Sequence, residues 1–321
     1  MPRFVRAFCI SNALKDVNTI YNLSFSDYHM NHDVIANPMT LIPHNYLCTT
    51  YDRITQLIGN KEWIRSFNKQ NAFIHSPFRA TVELVPDLII ALQRLNYIWA
   101  QSDSAFHVRI VPSGKIACIT MTSTTNQWHY AEVMRQLTLQ MDLLRFFLGD
   151  SFIPLKIEIP IQGITTYIQN SWDCPVTYHH KRIAIWLHSH SMTKIHPFPD
   201  VTSTASLFDA RSLDQYINMP DPENLNRCVG EVINFLRYTG RPTIHAVAEI
   251  LGMNHQQLQR RLSSRGTNFK MLCNFALMNQ ATNYLYQGLK PELFFQKLGY
   301  TSIESFNKAF KRERNDTKVL C

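Results

Sequence analysis

The first two hundred residues of the chain contain apolar residues in two kinds of pattern, one with helical spacing and one with the alternation of strands. Segments 84–100 and 130–148 carry apolar residues three and four positions apart, the spacing of a helix with one face in a core. Four other segments are rich in β-branched residues and often alternate between apolar and polar, as strands of a half-buried sheet do. They are 107–112, 115–122, 155–161 and 182–187. The N-terminal part is therefore predicted to mix helices and strands.

The pattern changes beyond about residue 200. Segment 206–221 is largely polar and contains Asp209, Asp214 and Pro220, as is typical of a linker. From residue 222 onward every segment with apolar periodicity has helical spacing. The sequence predicts an α+β chain: a mixed α/β domain over residues 1–205, a linker over 206–221, and an all-α domain over 222–321.

One pattern occurs twice in the C-terminal domain. Each copy has a Leu-Gly pair that follows an amphipathic segment, and the glycines are Gly252 and Gly299. Glycine allows the left-handed backbone that ends one helix and turns the chain into the next. Apolar residues four positions apart follow each glycine: Leu258 and Leu262, then Phe306 and Phe310. The sequence thus predicts two helix-turn-helix units joined by a linking helix.

The second helix of each unit has a residue suited to begin it. Asn254 has this place in the first unit. In the second unit it falls to Thr301 or Ser302, and Thr301 and Glu304 have the spacing of a capping box. Each second helix therefore has a defined start shortly after its glycine.

Each second helix also has a polar face that is free to enter a DNA major groove. In the first unit this face carries Gln256, Gln259 and Arg260. Glutamine can pair with adenine and arginine with guanine, which makes these residues candidate base readers. The second unit offers Ile303, Glu304, Ser305 and Lys308. There Glu304 could instead cap its own helix, and Ile303 could pack rather than touch a thymine methyl.

The positive charge of the chain is concentrated in the same region. The whole chain has a formal net charge of +8, and residues 231–321 contain 13 lysines and arginines against 6 aspartates and glutamates. A compact basic domain is the electrostatic footprint of a protein that binds a polyanion, although a basic solvated surface looks the same. The charge favours DNA as the partner of the two predicted units.

Residues 232–314 resemble the DNA-binding domain of AraC/XylS-type bacterial regulators. The resemblance rests on Ala248-x-x-Leu-Gly, Leu258-Gln-Arg-Arg-Leu, Gly266-Thr-Asn-Phe, Ala281-x-x-x-Leu, and Ser305-Phe-Asn-Lys-Ala-Phe-Lys-Arg. It implies a sequence-specific transcription regulator, an activator that contacts double-stranded promoter DNA and RNA polymerase. It places Gln256, Gln259, Arg260, Glu304, Ser305 and Lys308 near bases, and Arg261, Lys311 and Arg312 near phosphates.

The chain departs from that family at several positions in or near the second unit. Phe295 stands where a small alanine is usual, Leu277 stands where an arginine is usual, and residues 315–318 replace a Gly-x-x-Pro pattern. These departures motivate an alternative, a small-molecule sensor or interaction protein in which DNA binding has weakened. They also lead us to expect that the first unit does most of the base reading.

The first 200 residues resemble, more loosely, the arabinose-binding-like sensing domain of one branch of the same family. The residues that carry this are segments 144–149, 172–178 and 183–187. The resemblance implies control by an unidentified small-molecule effector or a partner, and pairing of subunits into a homodimer. For an anionic effector the candidate residues are Arg79, Arg109, Lys115 and Arg182, although a surface charge or a salt bridge explains each of them more readily.

No catalytic, metal or cofactor motif is evident in the sequence. His188 and His190 are spaced to share a face of a strand, but no cysteine or carboxylate completes a metal site with them. Cys174 fits a small buried residue better than a nucleophile. We therefore expect a protein that is not an enzyme and holds neither cofactor nor metal.

The sequence also bears on the cellular compartment. No apolar run approaches the roughly 20 residues of a membrane helix, and polar residues interrupt the N-terminus before an export signal can form. Seven scattered cysteines, none in a CxxC pair, argue against a disulfide framework. The prediction is a cytoplasmic protein without a membrane partner.

Overall fold

A computed structural model describes residues 2–68, 87–125, 128–194, 219–238, 242–286 and 288–317, with the single residues 82, 85 and 240. Its fold class is α+β, as predicted. In the described chain all strands lie before residue 190, and only helices and turns follow residue 219.

The N-terminal part contains seven α-helices and seven strands among the described residues. The helices are α1 (Ser11–Tyr21), α2 (His32–Ala36), α3 (His44–Ile58), α4 (Asn60–Asn68), α5 (Leu88–Ala100), α6 (Tyr130–Leu148) and α7 (Thr165–Trp172). The strands are β1 (Phe4–Arg6), β2 (Leu41–Pro43), β3 (Phe106–Ser113), β4 (Ile116–Ser123), β5 (Lys156–Glu158), β6 (Val176–Thr177) and β7 (Ile183–His188).

Five of the strands form one sheet in the order β3-β4-β7-β5-β6. All neighbours are antiparallel except β5 and β6, which run parallel. Strand β5 is shorter than segment 155–161, for which strand was predicted. Pro154 and Pro160 bracket it, and proline cannot donate a ladder hydrogen bond, so the strand stays short. The other two strands, β1 and β2, form a separate antiparallel pair.

Helix α6 lies inside the N-terminal part and buries polar as well as apolar residues. Arg135 contacts the carboxylates of Glu132, at 2.7 Å, and of Asp103, and all three side chains are almost fully buried. Gln136 donates a second hydrogen bond to Asp103 at 3.1 Å. Buried charges are tolerated only when they are paired in this way, so the cluster fixes how α6 sits against the β3 end of the sheet.

The neighbouring charges in this cluster determine the pKa of Glu132. Burial by itself raises the pKa of the Glu132 carboxyl, but the nearby charges of Arg135 and His44 outweigh it and hold the pKa below its ordinary value. His44 Nε2 lies 3.9 Å from Glu132 Oε2. Helix α3 thereby contacts α6 in the core through the side chains of His44 and Glu132.

The C-terminal part is built from five α-helices in the described chain. They are α8 (Leu225–Leu236), α9 (Ile244–Ile250), α10 (His255–Ser263), α11 (Phe269–Tyr286) and α12 (Ile303–Thr317), with a short 3-10 helix at Pro291–Leu293. Helices α9 and α10 form the first predicted unit, α11 is the linking helix, and the segment from Pro291 through α12 is the second unit.

Helix α8 packs against both parts of the chain. It contacts strand β2 on one side and helices α9 and α11 on the other. The ring of Phe235 meets the ring of Tyr46, on α3, edge to face with centroids 4.7 Å apart. Two hydrogen bonds reinforce this junction, from Asn31 to the carbonyl of Tyr238 and from Asn45 to the carbonyl of Ile250 at 3.2 Å. The first unit is therefore held against the N-terminal part.

The buried apolar residues form two clusters that divide the chain unequally. The larger cluster runs from Phe4 through α8 and the first unit as far as Ala276. The smaller belongs to the second unit and consists of Leu277, Ala281, Phe294, Leu298 and Phe306. The two units of the C-terminal part are thus anchored to different cores.

The predicted domain limits stay predictions. Residues 206–218 of the expected linker lie outside the described residues. Met219 lies near the end of the expected linker, and its backbone amide donates to the side chain of Gln101 at 3.2 Å. This end of the linker therefore contacts the N-terminal part.

We expect Phe235→Ala to destabilise the whole chain, because the ring is 1% exposed at the junction of both parts. The free energy of unfolding, measured by urea denaturation, should fall by about 3–5 kcal/mol. Phe275→Ala is the control, since that ring is 64% exposed on α11, and it should cost about 0.5 kcal/mol or less. Equal losses in the two variants would contradict the role given to α8.

Candidate nucleic-acid interface

The turn of the first unit is built around Gly252. Its φ is +67°, in the left-handed region that glycine adopts without strain. The amide of Gly252 donates to Glu249 O and that of Met253 to Ala248 O, both at 2.9 Å, which satisfies carbonyls at the end of α9. Ala248 is 1% exposed. The predicted helix-turn-helix geometry is present in this unit.

A reciprocal capping box starts α10. The side chain of Asn254 accepts from the amide of Gln257 at 2.8 Å, and the side chain of Gln257 accepts from the amide of Asn254 at 3.2 Å. Asn254 was predicted as the cap, whereas the part played by Gln257 was not. Because the side chain of Gln257 is engaged in the cap, the side chains available on the outward face of α10 are those of Gln256, Gln259 and Arg260.

Helix α10 is divided sharply into an inner and an outer face. Leu258 and Leu262 are fully buried and hold the helix against the first core. The predicted base readers Gln256, Gln259 and Arg260 are exposed, as is Arg261. Among the described residues, no salt bridge engages either arginine. The outer face therefore presents two amides and two guanidinium groups to the surroundings.

The second unit keeps the turn, and its cap is one of the two residues that were predicted. Gly299 has a φ of +84°, and α12 begins at Ile303. The hydroxyl of Ser302 accepts from the amide of Ser305 at 3.2 Å, so Ser302 is the capping residue. Glu304 is then the second residue of the helix, one position too early for a capping box. The expected pairing of Thr301 with Glu304 was wrong.

The outer face of α12 carries the predicted contacts of the second unit. Glu304, Ser305, Lys308 and Lys311 are exposed, whereas Phe306 is 1% exposed and packs inward. Ile303 is partly buried against the second core. Arg312 lies on the same helix, but its side chain falls outside the described residues. Polar and charged groups thus occupy this face, with fewer amides than the face of α10 offers.

The first helix of the second unit is irregular. A three-residue 3-10 helix, Pro291–Leu293, and a run of turns replace the seven-residue α9 of the first unit. Phe294 is buried and stacks on Tyr284 with ring centroids 5.0 Å apart. Phe295, which replaces Ala248 of the first unit, is only partly buried. A benzyl group does not fit where a methyl packs between two helices, so this segment packs differently.

Arg237 ties the second unit to α8 and to the linking helix, and no sequence motif pointed to it. Arg237 is the residue directly after α8. Its guanidinium group donates to the carbonyl of Cys273 on α11 at 2.9 Å and to the carbonyl of Leu298, beside Gly299, at 3.3 Å. Burial lowers the pKa of this arginine from its ordinary value. One side chain thus links α8, the linking helix and the turn of the second unit.

The candidate effector residues of the N-terminal part lie on its surface. Arg109 is exposed on β3, Lys115 is exposed in the turn before β4, and Arg182 lies 3.7 Å from Glu158 before β7. Lys115 and Arg182 are at opposite ends of the β4-β7 pair. Arg79 falls outside the described residues. The structure does not gather these side chains into one pocket.

The histidine pair differs from its predicted geometry. His188 ends β7, but His190 belongs to the following 3-10 helix, Ser189–Thr193, and their rings stack with centroids 5.3 Å apart. No group of three or more metal-binding side chains occurs in the described part of the chain. No helix in that part is both long and apolar enough to cross a bilayer.

Comparison with known proteins gives a partial match. No family model matches the chain. A stretch of 72 residues, 22% of this chain, is 39% identical to uncharacterized HTH-type transcriptional regulators of Mycobacterium bovis and Mycobacterium tuberculosis, and it spans 21% of the length of each. The transcriptional regulator CdpR from Pseudomonas aeruginosa aligns over 94% of this chain and 93% of its own, with a TM-score of 0.45 and 15% identity. The chain is therefore similar over about a fifth of its length to proteins named as helix-turn-helix regulators.

We expect Asn254→Ala to loosen α10 by removing one half of the capping box. Loss of an N-cap side chain costs about 1 kcal/mol, so amide hydrogen exchange in His255–Ser263 should become about fivefold faster. Asn279→Ala, on the exposed face of α11, is the matched control and should leave exchange in α10 unchanged. Unchanged exchange in both variants would show that the cap does not hold this helix.

Proposed function

We propose that this protein is a sequence-specific DNA-binding transcription regulator of the AraC/XylS type, with α10 lying in a DNA major groove. The observation that carries the proposal is the outer face of α10. It presents Gln256, Gln259, Arg260 and Arg261 directly after a capped glycine turn, with no described carboxylate paired to either arginine. Amides and guanidinium groups are the side chains that read adenine and guanine edges.

The dimensions of the linking helix support a second contact on the same DNA. Helix α11 has 18 residues. At 1.5 Å per residue it is about 27 Å long, which approaches the roughly 34 Å between successive major-groove segments on one side of the duplex. Helix α12 would then meet the next groove with Ser305 and Lys308 near bases and Lys311 and Arg312 near phosphates.

We propose an unequal division of labour between the two units. The first unit has a regular α9, a capping box and two glutamines on its outer face. The second has an irregular first helix and presents Glu304, whose carboxylate repels phosphate, beside its lysines. On this basis α10 supplies most of the base reading, and α12 orients and anchors the module.

The remaining parts of the proposal rest on the family resemblance. They are activation through contact with RNA polymerase, control by a small-molecule effector or partner, pairing of subunits and a cytoplasmic location. We further propose that the chain is a regulator rather than an enzyme. In support, burial raises the pKa of Cys118 and of Cys174 to about 11, so both thiols stay protonated and unreactive near neutral pH.

One observation favours the alternative of a sensor with weakened DNA binding. The irregular segment at Pro291–Leu293 leaves Phe295 only partly buried, so the second unit has a less regular support than the first. Titration of the full chain with fluorescent duplex DNA separates the two functions. Selective binding at moderate salt supports the regulator, whereas equal and weak binding to all sequences supports the alternative.

We expect Arg260→Ala and Lys311→Ala to change DNA binding in different ways. Loss of Arg260 should reduce discrimination at one base pair by about 1–3 kcal/mol, because a bidentate contact with guanine is removed. Loss of Lys311 should weaken binding to all sequences alike and lower the slope of log affinity against log salt by about 1. Both quantities come from anisotropy titrations of the full chain with a selected duplex and its single-base variants.

Arg109→Ala is the control for these titrations, since it removes an exposed arginine from the N-terminal sheet. It should change neither discrimination nor salt slope. Equal losses on every sequence from Arg260→Ala and Lys311→Ala would overturn the assignment of Arg260 as a base reader.

A further inference from the structure

A cavity of about 280 Å³ lies where the N-terminal part meets the C-terminal helices. Its first wall is the segment before and into β2, its second is α8, and its third is the C-terminal half of α11. The three walls come from three separate stretches of the chain. The cavity therefore exists only while α8 and α11 are docked against the N-terminal part.

The lining of this cavity is mainly polar. Amide side chains come from each wall: Asn37 from the first, Asn234 from α8, and Gln280 and Asn283 from α11. Thr40 adds a hydroxyl. A pocket with many convergent hydrogen-bonding groups suits a polar occupant, because an apolar one would leave these groups without partners.

Glu231 supplies the single carboxylate of the lining. Its Oε2 accepts from the side-chain amide of Asn234 at 3.3 Å. Burial raises the pKa of Glu231, although the charges of Arg227 and Arg6 oppose this effect. Arg6 also lines the cavity, but its Nε and Nη1 donate to the carbonyls of Gln101 and Met39 at 2.8 and 2.9 Å.

We infer that this cavity binds a small polar amino compound, whose ammonium group pairs with the carboxylate of Glu231 and whose other polar groups bond to the amide side chains around it. A partly buried carboxylate such as that of Glu231 is stabilised when a cation joins it, which gives an ammonium group an advantage over a hydroxyl of the same size. The volume lies just below the roughly 300–1,000 Å³ of typical ligand pockets, so the occupant is small.

Such an occupant would stabilise the docked arrangement of α8 and α11, because it touches all three walls and binds only when they are together. The regulatory consequence, that the occupant alters DNA binding, rests on the proposed function. Binding itself does not, and the two are measured separately.

The test uses three four-carbon probes that share a terminal hydroxyl and carry a charge of about +1, 0 or −1 at neutral pH: 4-amino-1-butanol, 1,4-butanediol and 4-hydroxybutyrate. Each is added to the full chain at neutral pH over a concentration series up to 20 mM, and the melting temperature is recorded. The amine should raise it by about 2 °C at a concentration tenfold above its dissociation constant. The neutral and anionic probes should leave it unchanged.

Three variants locate the effect. Glu231→Gln should abolish the shift given by the amine. Should that variant fail to fold, Asn283→Lys places a positive charge on the exposed rim of the cavity and should weaken amine binding about fivefold by repulsion. Asn279→Lys is its matched control, because Asn279 is exposed on the same helix but does not line the cavity, and it should bind the amine as the unchanged chain does.

The proposal is overturned if none of the probes raises the melting temperature, if the diol or the acid raises it as much as the amine, or if Asn279→Lys and Asn283→Lys weaken the shift equally. A DNA titration of the same samples tests the proposed function on its own. Selective DNA binding without an amine shift refutes the cavity alone, whereas an amine shift without selective DNA binding refutes the regulator alone.

Discussion

Helix α8 has one broad apolar face, and it buries that face by packing against both parts of the chain at once. Val229, Val232 and Ile233 are fully buried, and Phe235 reaches Tyr46 on α3. An amphipathic helix is stable in water only when its apolar face is covered by neighbouring elements. Because β2 and α3 lie on one side and α9 and α11 on the other, the first helix-turn-helix unit takes its position from the N-terminal part.

The surface on which α8 packs is itself fixed by buried charge. Arg6, at the end of β1, donates to main-chain carbonyls of Gln101 and Met39, and the adjoining residue Val5 forms a bridge with Asp103. Asp103 is one of the two carboxylates that pair with Arg135. Removing one partner of a buried ionic cluster leaves an uncompensated charge, so this region has little freedom to rearrange. The N-terminal part thus provides a well-defined packing surface for α8.

The second unit is connected to this arrangement through the C-terminal end of α8 and through α11. Its core is separate, and Arg237 bonds to the carbonyl of Leu298 in its turn while also bonding to α11. The second unit is therefore positioned by α8 and α11 together.

The sequence was informative where local chemistry decides the structure. Gly252 and Gly299 have left-handed backbones, Asn254 caps its helix, and the alternating segments around β3, β4 and β7 form strands as expected. These features depend on single residues or on short patterns, which can be read from one chain.

The sequence was uninformative where distant segments meet. The cluster of Asp103, Glu132 and Arg135 and the clamp at Arg237 depend on tertiary packing, and a charged residue in an amphipathic segment gives no sign that it is buried. The irregular helix at Pro291–Leu293 is an intermediate case. Phe295 signalled altered packing there, but the repeat itself predicted a second regular helix.

We propose that α10 reads the bases while α12 mainly anchors the module on the DNA. A selection of duplexes from a randomised pool tests this division most directly. The full chain, the double variant Q259A/R260A and the double variant S305A/K308A are each put through the same selection. We expect a defined motif for the full chain, loss of its most selective positions with Q259A/R260A, and the same motif at weaker affinity with S305A/K308A. Loss of those positions with S305A/K308A instead, or no enriched motif for the full chain, would contradict it.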